Sequence, residues 1–197
     1  METVPNMRAI LPERVRIVDA LRGIASLAVV AVYPFMKRIT NWPQLVLGLA
    51  FSWGALMGWA AAFGTIDPPS LLLYAGSILW VIGYDTIYAH QDKEDDAIVG
   101  VRSTARLFGE RTTTWLVYLY GGALLLFAWA YAAAEVPMPA LAGLLAAGAH
   151  MLRQVRTLDI DDPDQCLRLF RSNGTVGLLI FLGLVAGGIW VALKPVV

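Results

Sequence analysis

"SLLLYAGSILWVIGYDTIYAHQDKEDD", residues 70–96, decides the fold. Its first part, residues 70 to about 88, is a run of apolar residues of the length needed to cross a hydrocarbon layer about 30 Å thick as a helix. Its last thirteen residues, 84–96, carry five acidic side chains: Asp85, Asp92, Glu94, Asp95 and Asp96. Ionised groups at a membrane boundary are expensive to keep, and where a chain keeps them they usually do chemistry.

The rest of the chain agrees with a membrane reading. Of 197 residues, 58% are hydrophobic and 15% charged, with seven Trp, more apolar material than one soluble core of this size buries. Formal net charge is zero, so no global basic field argues for nucleic acid. A single cysteine, Cys166, excludes an internal disulfide and a multi-cysteine zinc site, and His90 and His150 are too few for a histidine centre. Any metal is expected to be a hard cation held by oxygen.

Four further stretches resemble residues 70–88 in length and apolarity: 44–63, 115–134, 137 to about 152, and 174–193; a sixth, 23–36, is short. The expectation is an all-α polytopic transmembrane helical bundle of about six spans. The Pro-rich connections "TIDPPS" and "EVPMP" hold no Lys or Arg, whereas the alternate connections hold ten of the fifteen basic residues. The positive-inside rule places that second set on the cytoplasmic or matrix side. It gathers "YPFMKR", the acidic stretch and "DIDDPDQCLRLFRSN" on one face. Small residues in "GALMGWAAAFG", "GLLAAGAH" and "GLVAGG" are expected to let helices pack closely. Residues 1–22, interrupted by Arg14, Arg16, Asp19 and Arg22, read as an irregular leader, and 23–197 as the transmembrane domain.

If the helix continues through the acidic stretch, Asp85, Asp92 and Asp96 fall on one narrow stripe, flanked by Tyr88 and Asp95. Carboxylates stacked in this way repel unless a cation lies between them, and Mg²⁺, which accepts one or two carboxylates together with water and phosphate oxygens, suits them. An EF-hand calcium loop starting at Asp92 fails, since its Gly and its closing Glu are Ala97 and Ser103. An exposed acidic loop that merely ends a span remains the plain alternative. Lys37, Arg38, Arg102 and Arg106 lie in the neighbouring charged segments. Carboxylates, Mg²⁺ and such cations are the parts needed to hold a diphosphate and neutralise it as a leaving group.

"DTIYAHQDKEDD" matches D-x-x-Y-A-x-x-D-x-x-D-D, the second aspartate-rich motif of the UbiA-type membrane prenyltransferases, at Asp85, Tyr88, Ala89, Asp92, Asp95 and Asp96. "YPFMKR", "STARLFG" and "QVRTLDIDDPDQCLRLFRSN" are similar to the 4-hydroxybenzoate polyprenyltransferase branch, and the resemblance covers about residues 25–195. It implies a helical bundle around a cavity in a bacterial or mitochondrial inner membrane. There Mg²⁺ holds a polyprenyl diphosphate whose ionisation alkylates an aromatic acid, as in ubiquinone biosynthesis. By motif position it implies Asp85, Asp92, Asp96 and, more weakly, Asp95 as metal ligands. Asp85, Asp92 and Tyr88 become the catalytic candidates, and Lys37, Arg38 and Arg102 diphosphate contacts. Tyr84, Tyr88, Trp53 and Trp80 offer aromatic faces to an allylic cation.

The family has nine spans and a first motif, N-D-x-x-D-x-x-x-D, which this sequence lacks. An N-terminally truncated member is therefore the expectation. Two functions follow: transfer of a polyprenyl group to 4-hydroxybenzoate or another aromatic acceptor, or a catalytically silent membrane protein that binds Mg²⁺ or prenyl diphosphate, assembled with another membrane chain.

Overall fold

A computed structural model describes residues 27–194. Within them the chain is helical, with no strand: α1 (27–39), α2 (Pro43–Phe51), α3 (Trp53–Phe63), α4 (Pro68–Ala89), α5 (Lys93–Val99), α6 (Thr104–Phe108), a 3₁₀ turn (Gly109–Arg111), α7 (Thr112–Ala133), α8 (Pro139–Thr157), α9 (Pro163–Arg171) and α10 (Asn173–Ala192). The leader expected over 1–22 lies outside the described residues. Pro43, Pro68, Pro139 and Pro163 open α2, α4, α8 and α9, where a missing N–H costs nothing and a fixed φ helps the first turn.

Among the described residues four helical segments are long and apolar enough to cross a membrane: Pro43–Phe63, Pro68–Ala89, Thr104–Ala133 and Pro163–Ala192. Each of the first and last contains a break, at Ser52 and at Ser172, where one helix hands over to the next. The stretch at 137–152 is also helical, as most of α8, but Arg153 and Arg156 enter its last turns and shorten the apolar part. The span expected at 23–36 begins in undescribed residues. The result is an all-α membrane bundle.

α4 is its hub, packed against α2, α3, α7 and α9, while α8 pairs with α10 and α7 joins the two groups. Against α7 the contact is a row of rings on glycines. A Cβ on Gly76 would meet the Phe127 ring at 2.8 Å, and one on Gly83 would meet Tyr120. Residue numbers run in opposite directions along the two helices, so the pair is antiparallel. α8 and α10 approach backbone to backbone at Gly143 and Gly183, where a Cβ on Gly183 would lie 2.7 Å from both the Ala140 carbonyl oxygen and the Gly143 Cα. The small residues of "GLLAAGAH" and "GLVAGG" thus pack as expected. Those of "GALMGWAAAFG" differ, because nothing lies within 4 Å of a Cβ on Gly54 or Gly58.

This contrast is testable. Gly183→Val forces two backbones apart and is expected to lower stability by about 1–3 kcal/mol, whereas Gly54→Ala, in open space on a helix, should leave the melting temperature in detergent unchanged or slightly raised. Thermal unfolding of both variants by fluorescence-detected size exclusion separates the two outcomes.

Candidate functional site

The helix that carries Asp85 does not continue through the acidic stretch. α4 ends at Ala89, His90 caps it, and the chain turns through Gln91 and Asp92 before α5 begins at Lys93. The single stripe expected for Asp85, Asp92 and Asp96 is therefore broken in two. α5 ends on Gly100 in the left-handed region (φ 78°), and the Val101 N–H returns to the Asp96 carbonyl at 3.0 Å. That closure fixes the backbone at Asp96.

The turn still brings the first and last aspartates of the motif towards one cation. Asp85 is 7% exposed and Asp96 9%. Lys37, from the end of α1, lies 3.9 Å from Asp96 Oδ1 and also acts on Asp85. At that distance the pair contributes position more than stability. Gln44 of α2 is held by the Thr104 N–H, which donates to its Oε1 at 3.1 Å, and its amide interacts with the Asp85 carboxylate. Tyr33 of α1 lies within electrostatic range of Asp85, Asp96 and Tyr88. Burial raises the Asp96 carboxyl above the usual carboxylate value; Lys37 and Arg106 oppose this and Asp92 and Asp95 add to it.

The other motif residues are placed differently. Asp92 is half-buried at the start of α5, and Asp95 is exposed and faces the α8–α9 connection with Glu94. Arg38 is exposed. The Arg102 N–H donates to the Lys37 carbonyl at 2.7 Å, and its guanidinium donates to the Ile39 carbonyl at 2.9 Å, so it clamps the end of α1 and places Lys37. Arg106 donates to the carbonyls of Asp96 and Val101 and ties down α5.

Among the described residues no three Asp, Glu, His or Cys side chains converge to hold a metal ion. Of the four aspartates that the family motif implies, Asp85 and Asp96 lie about Lys37, Asp92 is half-buried at the start of α5 and Asp95 is exposed. A divalent cation still fits. Asp96 Oδ2 is buried with no hydrogen-bond partner among the described residues, and Mg²⁺ is commonly held by two carboxylates with substrate oxygens completing its shell.

A cavity of about 420 Å³ lies between α2–α3, α4 and α9–α10, and Tyr84, which precedes Asp85 in the chain, belongs to its lining. Trp80, Tyr84 and Phe170 line it, and Tyr84 stands edge-on to both Trp80 and Phe170, with ring centres 5.8 and 5.7 Å away. Tyr88 packs on Phe170 at 4.7 Å. Trp53 packs on Tyr74 instead and does not line the cavity. Asn173 fixes one wall: it accepts from Trp80 Nε1 at 2.9 Å and donates to the Leu169 and Phe170 carbonyls. Sequence reasoning missed Tyr33, Gln44, Phe170 and Asn173. The first stands in "YPFMKR" and the last two in "RLFRSN", but only contacts across helices single them out.

The pattern of the UbiA prenyltransferase family matches residues 18–182. The chain is 51% identical over 168 residues to the mitochondrial 4-hydroxybenzoate polyprenyltransferase of Bos taurus, covering 85% of this chain and 45% of that protein. It is 48% identical over 169 residues to the Homo sapiens protein of that name, and 45% over 166 residues to that of Arabidopsis thaliana; the matches cover 85% and 84% of this chain and 46% and 41% of those proteins. The chain thus spans under half the length of these relatives. No solved structure matches it.

Because the folded state retains a proton on Asp96 that an unfolded aspartate has lost, stability should fall as pH rises from the ordinary aspartate value through the raised one. Asp96→Asn is expected to flatten that decline without lowering stability at neutral pH. Melting temperatures of the two proteins between pH 4 and 8 test this.

Proposed function

The chain belongs to the UbiA prenyltransferase family, and on that premise we propose that it transfers a polyprenyl group from polyprenyl diphosphate to 4-hydroxybenzoate, a step of ubiquinone biosynthesis. The observation that carries the reading is the pairing of buried Asp85 and Asp96 about Lys37, beside an aromatic cavity, in a chain about half identical to enzymes of that name.

In this reading Asp85 and Asp96, with Asp92 next to them, hold Mg²⁺, which supplies charge neutralisation for the diphosphate when bound. Lys37 contacts the diphosphate, Arg102 positions Lys37, and exposed Arg38 meets the diphosphate as it arrives. The allylic C–O bond breaks with its electron pair leaving on the diphosphate. The ring carbon ortho to the phenol then forms the new C–C bond to the allylic carbon, and that ring carbon loses its proton to restore aromaticity. Tyr84, Trp80 and Phe170 present π-faces to the allylic cation, with Tyr88 supporting Phe170. The reading requires that the bilayer around the bundle keep out the water that would quench the cation. The chain is proposed to cross a bacterial or mitochondrial inner membrane several times, the charged connections facing the cytoplasm or matrix, in keeping with their ten basic residues.

One observation favours a second reading. With only two carboxylates converging on Lys37 among the described residues, the chain binds Mg²⁺ and prenyl diphosphate without turnover, or turns over only with another membrane chain that adds ligands. Membranes containing only these 197 residues, given radiolabelled 4-hydroxybenzoate, a polyprenyl diphosphate and Mg²⁺, decide between them. The first reading expects ortho-prenylated product, reduced about 100-fold or more in Asp85→Asn and Asp92→Asn. It also expects Lys37→Ala to raise KM for the diphosphate by about tenfold, the loss of one charge-assisted contact. Absence of product with prenyl diphosphate binding retained supports the second. Normal diphosphate binding by the aspartate variants contradicts both.

A further inference from the structure

The segment Pro163–Ala192 is long enough for one unbroken helix, yet "LFRSNG", residues 169–174, interrupts it. Ser and Asn side chains compete with the backbone for its own hydrogen bonds, and so favour such breaks. The Ser172 N–H donates to the Arg168 carbonyl at 3.0 Å and the Thr175 N–H to the Ser172 carbonyl at 3.0 Å. Side chains meet the Leu169 and Phe170 carbonyls. In a bilayer a carbonyl released by a break has to be satisfied from within the protein.

The Leu169 carbonyl receives Ser172 Oγ at 2.7 Å, Gln154 Nε2 at 3.2 Å and Asn173 Nδ2 at 3.2 Å. Because Ser172 spends its one proton there, its oxygen accepts from Gln154 Nε2 at 2.7 Å and from His150 Nε2 at 3.2 Å. His150 and Gln154 both come from α8, and Gln154 is fully buried. A carbonyl can only accept, so the amide nitrogen of Gln154 faces it, and Oε1 is left buried with no partner among the described residues. An apolar side chain of the same length would fill the space without that orphan, and Leu169 would keep Ser172 and Asn173. Stability alone therefore does not call for an amide at this position.

What the amide adds is direction. Met151 and Val155 of α8 share a buried cluster with Cys166 and Leu169 of α9, but apolar contact is non-directional, whereas a hydrogen bond fixes an angle. The break held in this way presents Phe170 and Asn173 to the 420 Å³ cavity, and Asn173 Oδ1 takes the Trp80 indole N–H at 2.9 Å. We propose that Gln154 is a positioning residue for that cavity: without lining it, Gln154 holds the α9–α10 break, and so sets Phe170 and, through Asn173, Trp80 on the wall that meets the prenyl group. That the wall serves a prenyl group rests on the function proposed above; the geometry that Gln154 sets does not.

Gln154→Met keeps the length of the side chain and removes the amide, so the melting temperature in detergent should stay within about 4 °C of the unaltered chain. In the ¹⁵N-tryptophan-labelled chain, the indole N–H resonance of Trp80 is identified by its loss in Trp80→Phe. It should move or split in Gln154→Met, while that of Trp59, bonded to Asp67, stays in place. In prenyl transfer, kcat should fall about tenfold with KM for polyprenyl diphosphate changed less than about twofold. Ser172→Ala removes the shorter of the two Gln154 bonds and should move the same resonance; it stands in should Gln154→Met fail to fold. The proposal is overturned if the Trp80 resonance is unmoved in the variant that folds, or moves only together with that of Trp59 and a large loss of melting temperature. It is also overturned if a chain that turns over keeps its kcat. Absence of product in the unaltered chain counts against the prenyl reading alone, because the Trp80 resonance reports the wall by itself.

Discussion

The Tyr120 ring lies on Gly83, two residues before Asp85, and much of the structure depends on that contact. With no Cβ at Gly83 or Gly76, α7 comes close enough for Tyr120 and Phe127 to seat on the α4 backbone. α4 is thereby fixed along its length and in rotation, because a helix turned by one residue would present side chains where the rings lie. One face of α4 is given over to α7. Its other faces carry Asp85 towards Lys37 and Tyr84 and Trp80 into the cavity. In a bilayer, where lipid is as apolar as leucine and burial supplies no net drive, such close van der Waals contact is what holds helices together.

The same physics explains which parts of the fold were legible in the sequence. Apolar length marks residues 70–88 and 115–134 as spans, and the Pro-rich connections within 65–70 and 135–139 mark where the chain leaves one helix for the next, since ring closure fixes φ locally. The break after Ala89 was not legible. His90, Gln91 and Asp92 are all tolerated inside helices, and no Gly or Pro punctuates the stretch. α9 was hidden for a related reason: "DIDDPDQCLRLFRSN" reads as a charged connection, yet Pro163–Arg171 within it is an amphipathic helix with Cys166 and Leu169 buried. Its apolar residues count for little in a hydropathy window but face one way.

That unmarked break matters for chemistry. On one continuous helix, Asp85, Asp92 and Asp96 would stack at separations set by helical geometry alone, and Asp95 would stand beside them. The turn instead lets α5 swing, so that Asp96 comes back towards Asp85 and Lys37 while Asp95 looks towards Asp161. A motif written as one string thus serves two environments. Sequence spacing singled out its members, but it could not say which of them share an environment, because that depends on the backbone at three residues with no local signal.

The unpaired buried atoms sharpen the same distinction. Folded chains leave few buried polar atoms without partners, and here several sit around the acidic stretch: His90 Nδ1, Gln91 Oε1 and Asp96 Oδ2. His90 is held down to about 4 chiefly by burial, with Lys93 adding and Asp161 opposing, so the ring stays neutral at physiological pH and offers no charge to its acidic neighbours. A stretch that bears five carboxylates has therefore added further acceptors instead of donors. Stability alone would favour the reverse arrangement, with arginines turned inward. The guanidiniums of Arg102 and Arg106 donate to backbone carbonyls at the ends of α1 and α5, and Lys37 is the ammonium that lies beside Asp96.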